Sequence, residues 1–594
     1  MENQNNIGQL IREIEENYTT GTSKISEHVE FSLFDTINTI DAYINSKHVS
    51  GELDAQGREK PFFNIVTSAI NIWYRATDID RKDIKIRASK TQDIMRSFIA
   101  SVMLQDYMRK TDFGSFLNKW GKQLARYGSA VLKFVEKDGE LIPNVVSWNN
   151  LIIDSIDFNN NPKIEKLQLT PAQLKQRKGY DQKMVNSLLD AVSTRKTIGG
   201  DVQDDLSNYI TVYEVHGMLP LSYLTDKESD NDEYVQQMHV VSFVSKANGD
   251  HEDFTLIKGR EDKDPYMITH LIEEDGRSLS IGAVEHLFQA QWMQNHTVKA
   301  IKDQLDLVSK VVFQTSDEAF IGQNALSSIE NGDILIHSAN QPLTQLNNNS
   351  HDITSLQNFG VQWKGLAQEI TSTPDSISGN TMPSGTAYRQ VAILNQESHS
   401  LFELMTESKG LHIEAMLRNY IIPFLKKKLN NKDEISAVLE SHDIKKIDSA
   451  YVSYKAVNEF NKKVKDELIK GNIPNLSIEE EINKVQEELS QLGKQRFFTP
   501  DELGEKTWKE IFEGLEWDVE VDVTGENTNK EAVMTTLTTL LQSVAQNPNI
   551  LNDERMKVLF NKIIESTGVI SSIEIPNTPP QQLPVQEEAP QMAT

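Results

Sequence analysis

Two long stretches of helical periodicity, joined through shorter pieces and one segment that cannot be helix, constrain this chain most. Over residues 283–309 the apolar positions Val284, Leu287, Phe288, Val298, Ile301, Leu305 and Val308 recur as one helix face. From Ala387 to about Leu429 a second pattern predicts a long helix with a kink at Pro423, which lacks the N–H a helix interior needs. Between them lie a mixed stretch at 311–351, with strand-like VVF and DILI runs, and a helical pattern at 352–371. Then comes STPDSISGNTMPSGT, residues 372–386, with Pro374, Pro383, Gly379 and Gly385, and Asp375 as its single charge. Antiparallel helices need only about 2–8 connecting residues, so this loop is longer than a plain connection requires.

Elsewhere the patterns are mixed. Residues 1–55 hold two helical patterns, and PFFNIVTSAINIWYRATDI a third. The alternating DIKIRAS (83–89) predicts a strand, followed by helical periodicity from 92 to 124 that breaks near Asp112. SAVLKFVEKDGELIPNVVSW predicts a hairpin turning at Lys137-Asp138-Gly139. Residues 164–200 read as short helices with loops, and 209–257 as a β section with a type I′ turn at Asn248-Gly249. Further on, Ser477 and Glu480 form a capping-box pattern, WDVEVDV (517–523) reads as a strand, and helices are expected at 528–545 and 552–566. PNTPPQQLPVQEEAPQMAT, residues 576–594, carries five of the 18 prolines and reads as a disordered tail, dispensable for folding. The fold class is α+β, predominantly helical.

Composition narrows the chemistry. The absence of cysteine removes disulfides, thiolate metal sites and cysteine nucleophiles. A net charge of −27 argues against tight, static binding to nucleic acid, which needs a basic face. There is no GxxxxGK[ST] loop, no GxGxxG after a strand and no HExxH. Gly276-Arg-Ser278-Leu-Ser280 lacks the second glycine of a nucleophile elbow, so Ser278 reads as a helix-start serine. Asp226, Glu228, Asp230, Asp232 and Glu233 lack the glycine and terminal glutamate of a calcium loop and read as solvated. Arg81, Lys82, Lys85 and Arg87, alternating with isoleucines, read as an outer strand face. His399 and His412 stand too far apart on one helix to share a metal. No catalytic, cofactor-binding or metal-ligating residue is assigned. The longest apolar runs, such as YIIPFL at 420–425, fall far short of the roughly 20 residues that span a bilayer, and the first twenty residues lack a secretory pattern. A soluble protein made in a cytoplasm is expected.

Four segments, in this order, resemble a tailed-bacteriophage portal protein, the head-to-tail connector: REKPFFNIVTSAINIWYRATDIDRKDIKIRAS, YGSAVLKFVEKDGELIPNVVSWNNLIIDS, GRSLSIGAVEHLFQAQWMQNHTVKAIKDQLDL and SISGNTMPSGTAYRQVAILNQES. The likeness spans roughly residues 60–430, is weaker in 517–566, and extends to the crAss-like group. The resemblance implies an elongated subunit that assembles into a dodecameric ring. Its wing comprises 1–282 with much of 387–455, stem helices lie at 283–310 and 352–371, and the clip at 311–351. A tunnel loop at 372–386, a helical crown at 456–575 and the tail at 576–594 complete it. The implied function is structural: a channel for double-stranded DNA at one capsid vertex of the virion, docking terminase, the major capsid protein and a head-to-tail adaptor, with no membrane and no cofactor. Tunnel-loop candidates are Ser376, Ser378, Gly379, Asn380, Thr381, Ser384 and Gly385; stem candidates are Lys299 and Lys302; adaptor-binding candidates are Asn331, Asp333, Gln341 and Gln345. A strongly acidic ring suits DNA that must slide without sticking. The alternatives are a generic helical virion scaffold and a serine hydrolase-like virion enzyme around Ser278.

Overall fold

Local signals set most elements up to residue 428. The computed structural model describes residues 7–79, 81, 84–87, 94–198, 209–225, 233–245, 251–308, 312–314, 316, 318, 338–341, 344–346, 353–373, 388–428, 435–438, 441–470, 477–491, 495–498, 507–513 and 518–521. The chain is α+β with helices in the majority. It divides into two units, residues 1–81 with 107–424, and 82–106 with 425–594.

The first elements are α1 (Ile7–Thr20), β1 (Ser23–Ser26), β2 (Val29–Phe31) and α2 (Leu33–Ile44). Ser32 caps α2 by accepting the Asp35 N–H on its hydroxyl. Next come α3 (Val66–Ala76), β3 (Ile84–Arg87), α4 (Ile94–Lys110) and α5 (Phe113–Tyr127). The break between α4 and α5 falls at Asp112, in the left-handed region with φ 50°. Helix α5 ends at Gly128, φ 75°, where the chain touches its own later course. A Cβ on Gly128 would lie 2.7 Å from the Gly282 nitrogen, and one on Gly282 only 2.4 Å from that of Gly128.

β4 (Ser129–Lys137) and β5 (Glu140–Val146) form the expected hairpin, and Asp138 (φ 54°) with Gly139 (φ 75°) supplies the two left-handed residues of a type I′ turn. They are followed by β6 (Leu151–Ile152), β7 (Lys163–Leu169), α6 (Pro171–Gln176) and α7 (Gln182–Ile198). Then come β8 (Ile210–Pro220), α8 (Ser222–Thr225), β9 (Tyr234–Ser245), β10 (His251–Arg260) and β11 (Tyr266–His270). The expectation of helices and loops over 164–200 is corrected at its start: KIEKLQL is strand β7, because it pairs in register with β8. Two antiparallel sheets result, β10-β9-β8-β7-β6 and β11-β4-β5. The larger sheet is covered on both faces. Val212, Val240 and Leu256 pack with Leu174, Val185 and Leu188 of α6 and α7, while the neighbouring Tyr213, Val215 and Val241 pack with Ile7 and Ile11 of α1. Alternate side chains of a strand face opposite ways, so one run serves two cores.

The stem pattern is divided. α9 (Ala283–His286) ends in a tight turn, Leu287 N–H to Val284 O at 3.0 Å, before α10 (Phe288–Val308) begins. β12 (Val312–Gln314) and β13 (Thr344–Leu346) pair antiparallel, and α11 (Ile353–Ile370) follows. The long helix is α12 (Tyr388–Met416), which passes through a π turn at Leu417–Ile421 into α13 (Ile422–Lys428). The irregularity thus precedes Pro423 instead of centring on it. Pro423 offers no N–H to the Asn419 carbonyl four residues back, and Lys263 Nζ donates to that carbonyl at 2.8 Å. Tyr420, in the turn, stacks on Phe134 at 3.9 Å.

In the second unit α14 (Ser441–Ile469) runs without interruption across 455–456, the boundary expected between wing and crown. It packs with α15 (Ile478–Gln491), which Ser477 precedes. β14 (Ile435–Val438) pairs with β15 (Gln495–Phe498); the buried Phe498 meets Phe98 at 6.1 Å and Tyr451 at 5.6 Å. After α16 (Trp508–Glu513), β16 (Asp518–Val521) pairs with β3. Its register sets Asp518 opposite Arg87 and Glu520 opposite Lys85, so the basic alternation of β3 meets an acidic one. The Asn248-Gly249 turn, Asp226 to Asp232, the helical patterns at 528–545 and 552–566, and the tail 576–594 lie outside the described residues.

Candidate functional site

The arrangement that stands out is a hairpin of helices with a β ribbon between them. Gly360 of α11 sits against Thr297 and Gln294 of α10. Trp73 of α3 ties the two base ends together: its ring stands 5.9 Å from His286, and its Nε1–H donates to the Thr371 carbonyl at 2.9 Å. The β12–β13 pair joins the other ends. Helix α11 buries only Gly360 and Ala367, and leaves Phe359, Val361, Leu366 and Ile370 exposed. At 3.6 residues per turn, Phe359, Leu366 and Ile370 fall within about 40° of one another, beside the buried stripe. On α10, Trp292 and Leu305 are exposed too.

A cleft of about 630 Å³ opens beside the first half of α10. Tyr43, Phe288, Trp292 and His296 line it, with His48 and Lys60 from the loop after α2. Trp292 and His296, one helical turn apart, stack in parallel with centroids 5.6 Å apart, and Tyr43 meets Phe288 edge-on at 5.7 Å. Asn295 Oδ1 accepts from Phe63 N–H at 3.1 Å and from Gln291 Nε2 at 3.0 Å; the backbone donor fixes which way the amide faces. Its NH2, the Tyr43 hydroxyl and the Trp292 Nε1–H find no hydrogen-bond partner among the described residues.

A second concentration of polar groups lies between the two sheets. Lys133 Nζ stands 2.7 Å from Glu165 Oε2 and 2.9 Å from Glu214 Oε2. His216 donates from Nε2 to Glu214 (3.0 Å) and from Nδ1 to Glu261 (2.8 Å). Tyr266 Oη donates to Glu165 at 2.9 Å, and Lys163 pairs with Asp264 at 2.6 Å. Burial alone would push the Glu214 carboxyl up, but His216 and Lys133 together hold it down to about 2. Burial likewise opposes charge on His216, yet its two carboxylates win and its pKa rises. A histidine with a raised folded-state pKa stabilises the fold below its unfolded value of about 6.5, and that contribution fades as pH climbs through the folded value. His216→Gln should therefore flatten the fall of the thermal midpoint as pH climbs above about 6.5, read by calorimetry across neutral and mildly alkaline buffers. An unchanged profile would show that His216 is not the titrating group.

The predicted residues fall as follows. Lys299 Nζ pairs with Asp303 (2.5 Å) and approaches Asp54 (3.7 Å), and Lys302 donates to the Glu59 carbonyl at 3.1 Å. Both ammonium groups thus bind this chain's own 54–59 loop. Gln341 lies in a turn and Gln345 in β13, opposite Phe313; Asn331 and Asp333 lie outside the described residues. Of the segment 372–386 only Ser372 and Thr373 are described; Ser376, Ser378, Gly379, Asn380, Thr381, Ser384 and Gly385 lie outside. Ser372 takes a left-handed φ of 51°, so the chain turns sharply as it leaves α11. Ser278 is buried and donates its hydroxyl to the Asp154 carbonyl at 2.9 Å, which weighs against a nucleophile there. A serine–histidine contact does exist, Ser129 Oγ to His270 Nδ1 at 2.8 Å, but Ser129 is fully buried and also accepts from Ser280 N–H. Burial, with His412 nearby, lowers the His270 pKa to about 4. This pair links β4 to β11 and to the helix carrying His412. Among the described residues no cluster of three or more His, Asp or Glu could hold a metal ion, and no helix is long and apolar enough to cross a membrane.

What fold and site define is a helix-dominated α+β chain built around a helix–ribbon–helix hairpin. No protein-family model and no curated protein matches it. Sequence reasoning passed over Trp292, His296, Asn295 and Tyr43. The available signal was a tryptophan followed four residues later by histidine on the polar side of α10.

Proposed function

We propose that the chain is the portal subunit of a tailed bacteriophage, forming a dodecameric ring at one capsid vertex through which double-stranded DNA enters and leaves the head. The observation that carries this reading is the order around the hairpin: helix α10, a paired β ribbon, the returning helix α11, and then the long helix α12. The apolar side chains left exposed on α11, with Leu305 of α10, support it further, because a neighbouring copy would remove them from water. In a closed head-to-tail ring each copy turns two different flanks to its two neighbours. The ribbon region 311–351 receives the adaptor, and the loop 372–386 touches passing phosphates through hydroxyl and amide groups. With Lys299 and Lys302 already bound within the chain, little cationic grip on DNA is left on that helix face. Terminase, a separate ATPase, and the major capsid protein complete the vertex in the virion.

Electron microscopy and native mass spectrometry of the purified 67.3 kDa protein test the reading. Rings with a central hole and a mass near a dodecamer are expected, and Ile370→Glu should shift them toward single copies. A protein that stays monomeric at every concentration, with a catalytic turnover of its own, would overturn the portal assignment.

A further inference from the structure

We propose that the cleft beside α10 binds an extended, acidic, proline-rich segment, and that residues 576–594 of a second copy of this chain supply it. The lining sets the ligand class. Trp292, 56% exposed, presents a flat aromatic wall already stacked on one side by His296, with Tyr43 and Phe288 behind it. Three donors face no acceptor among the described residues: the Trp292 Nε1–H, the Asn295 NH2 and the Tyr43 hydroxyl. A complementary ligand must therefore bring acceptors and few donors, along with rings that stack on aromatic faces. Proline-rich segments have that chemistry. Their prolines lack N–H groups, the polyproline II conformation makes no internal hydrogen bonds, so its carbonyls stay available, and pyrrolidine rings seat in aromatic-lined grooves.

Charge narrows the source. Among the described residues Lys60, on the cleft, donates to Ser50 and has no carboxylate partner. Residues 576–594 carry Pro576, Pro579, Pro580, Pro584 and Pro590, acidic Glu587 and Glu588, and no lysine or arginine. A chain of net charge −27 gains little from meeting its own acidic surfaces, so a cation without a carboxylate partner among the described residues, beside an aromatic wall, is a place where an acidic segment of its own kind can settle. The inference uses the ring of the portal reading only for local concentration; the cleft and the segment require neither DNA nor a capsid.

The test uses the full chain carrying Pro579→Ala, Pro580→Ala and Pro584→Ala, which leaves the cleft without its own competitor. A fluorescein-labelled peptide of residues 576–594 is titrated with it and followed by fluorescence polarisation, with the oligomeric mass of the same sample recorded. Saturable binding is expected whether the sample is ring or monomer. Adding Trp292→Ala should weaken it by about tenfold or more at an unchanged thermal midpoint, as truncation of an aromatic anchor does. Lys60→Gln should remove most of its salt dependence. Absence of saturable binding at millimolar peptide, or equal binding by the Trp292→Ala protein, would overturn the proposal and leave the portal reading untouched.

Discussion

Replacing Lys133 with methionine should destabilise the unit of residues 1–81 and 107–424 by about 3–5 kcal/mol, the usual cost of removing one partner from a buried ion pair. Lys133 lies between Glu165 and Glu214, all three side chains nearly out of solvent. Methionine fills a similar volume, so the loss comes from electrostatics and not from a cavity. Glu214 would keep His216 as a counterion, whereas Glu165 would keep, among the described residues, only the Tyr266 hydroxyl. The second substitution Glu165→Gln, made on top of Lys133→Met, should therefore restore part of the stability. Urea denaturation of both proteins measures the effect. A loss under about 1 kcal/mol for Lys133→Met would mean that water reaches the cluster and screens it.

The opposite sign is expected at Lys409. Its ammonium is buried under the ring of Trp120, 5.3 Å from the centroid, and donates to the Thr77 carbonyl. Burial lowers its pKa to about 8, against about 10.5 in the unfolded chain. Folding then disfavours the charged form. The penalty is complete below pH 8, shrinks as pH rises from 8 to 10.5, and is gone above. Two and a half pKa units correspond to about 3 kcal/mol, from which the unmet Thr77 carbonyl in a methionine variant takes back roughly 1 kcal/mol. Lys409→Met should thus gain about 2 kcal/mol at pH 7 and lose that advantage by about pH 10, because only the parent protein gains stability across that interval. Denaturant titrations at the two pH values decide it. A variant that is less stable at pH 7 and keeps the parent's alkaline slope would rule the account out.

What could be read before the fold was seen were the features whose causes lie within a few residues. The hairpin turn at Asp138-Gly139, the break at Asp112, the strand Ile84–Arg87 and the periodic helices α10, α11 and α12 all follow from turn chemistry and helical or alternating spacing. KIEKLQL carries only an imperfect alternation, so its strand character comes from pairing with β8 and not from its own spacing. The sequence predicts a kink at Pro423 itself, whereas the irregularity is a π turn before it, where the carbonyl the proline leaves free, at Asn419, is met by Lys263, far away in sequence.

By itself the sequence determined the α+β class, the order of the helices α10, α11 and α12, and, through the lack of cysteine, the absence of thiol chemistry. These depend on residue type and local spacing. The tertiary structure alone decided that β3 pairs with β16, that Gly128 and Gly282 touch, that Lys133, Glu165, Glu214 and His216 share one buried cluster, and that Tyr43 and Trp292 wall one cleft. Each joins residues far apart along the chain. A lysine or a tryptophan carries no local mark of whether it will be buried, paired or left open, because burial and partners are set by which distant segments pack together, and the free energy of a charge or a ring depends on that surrounding.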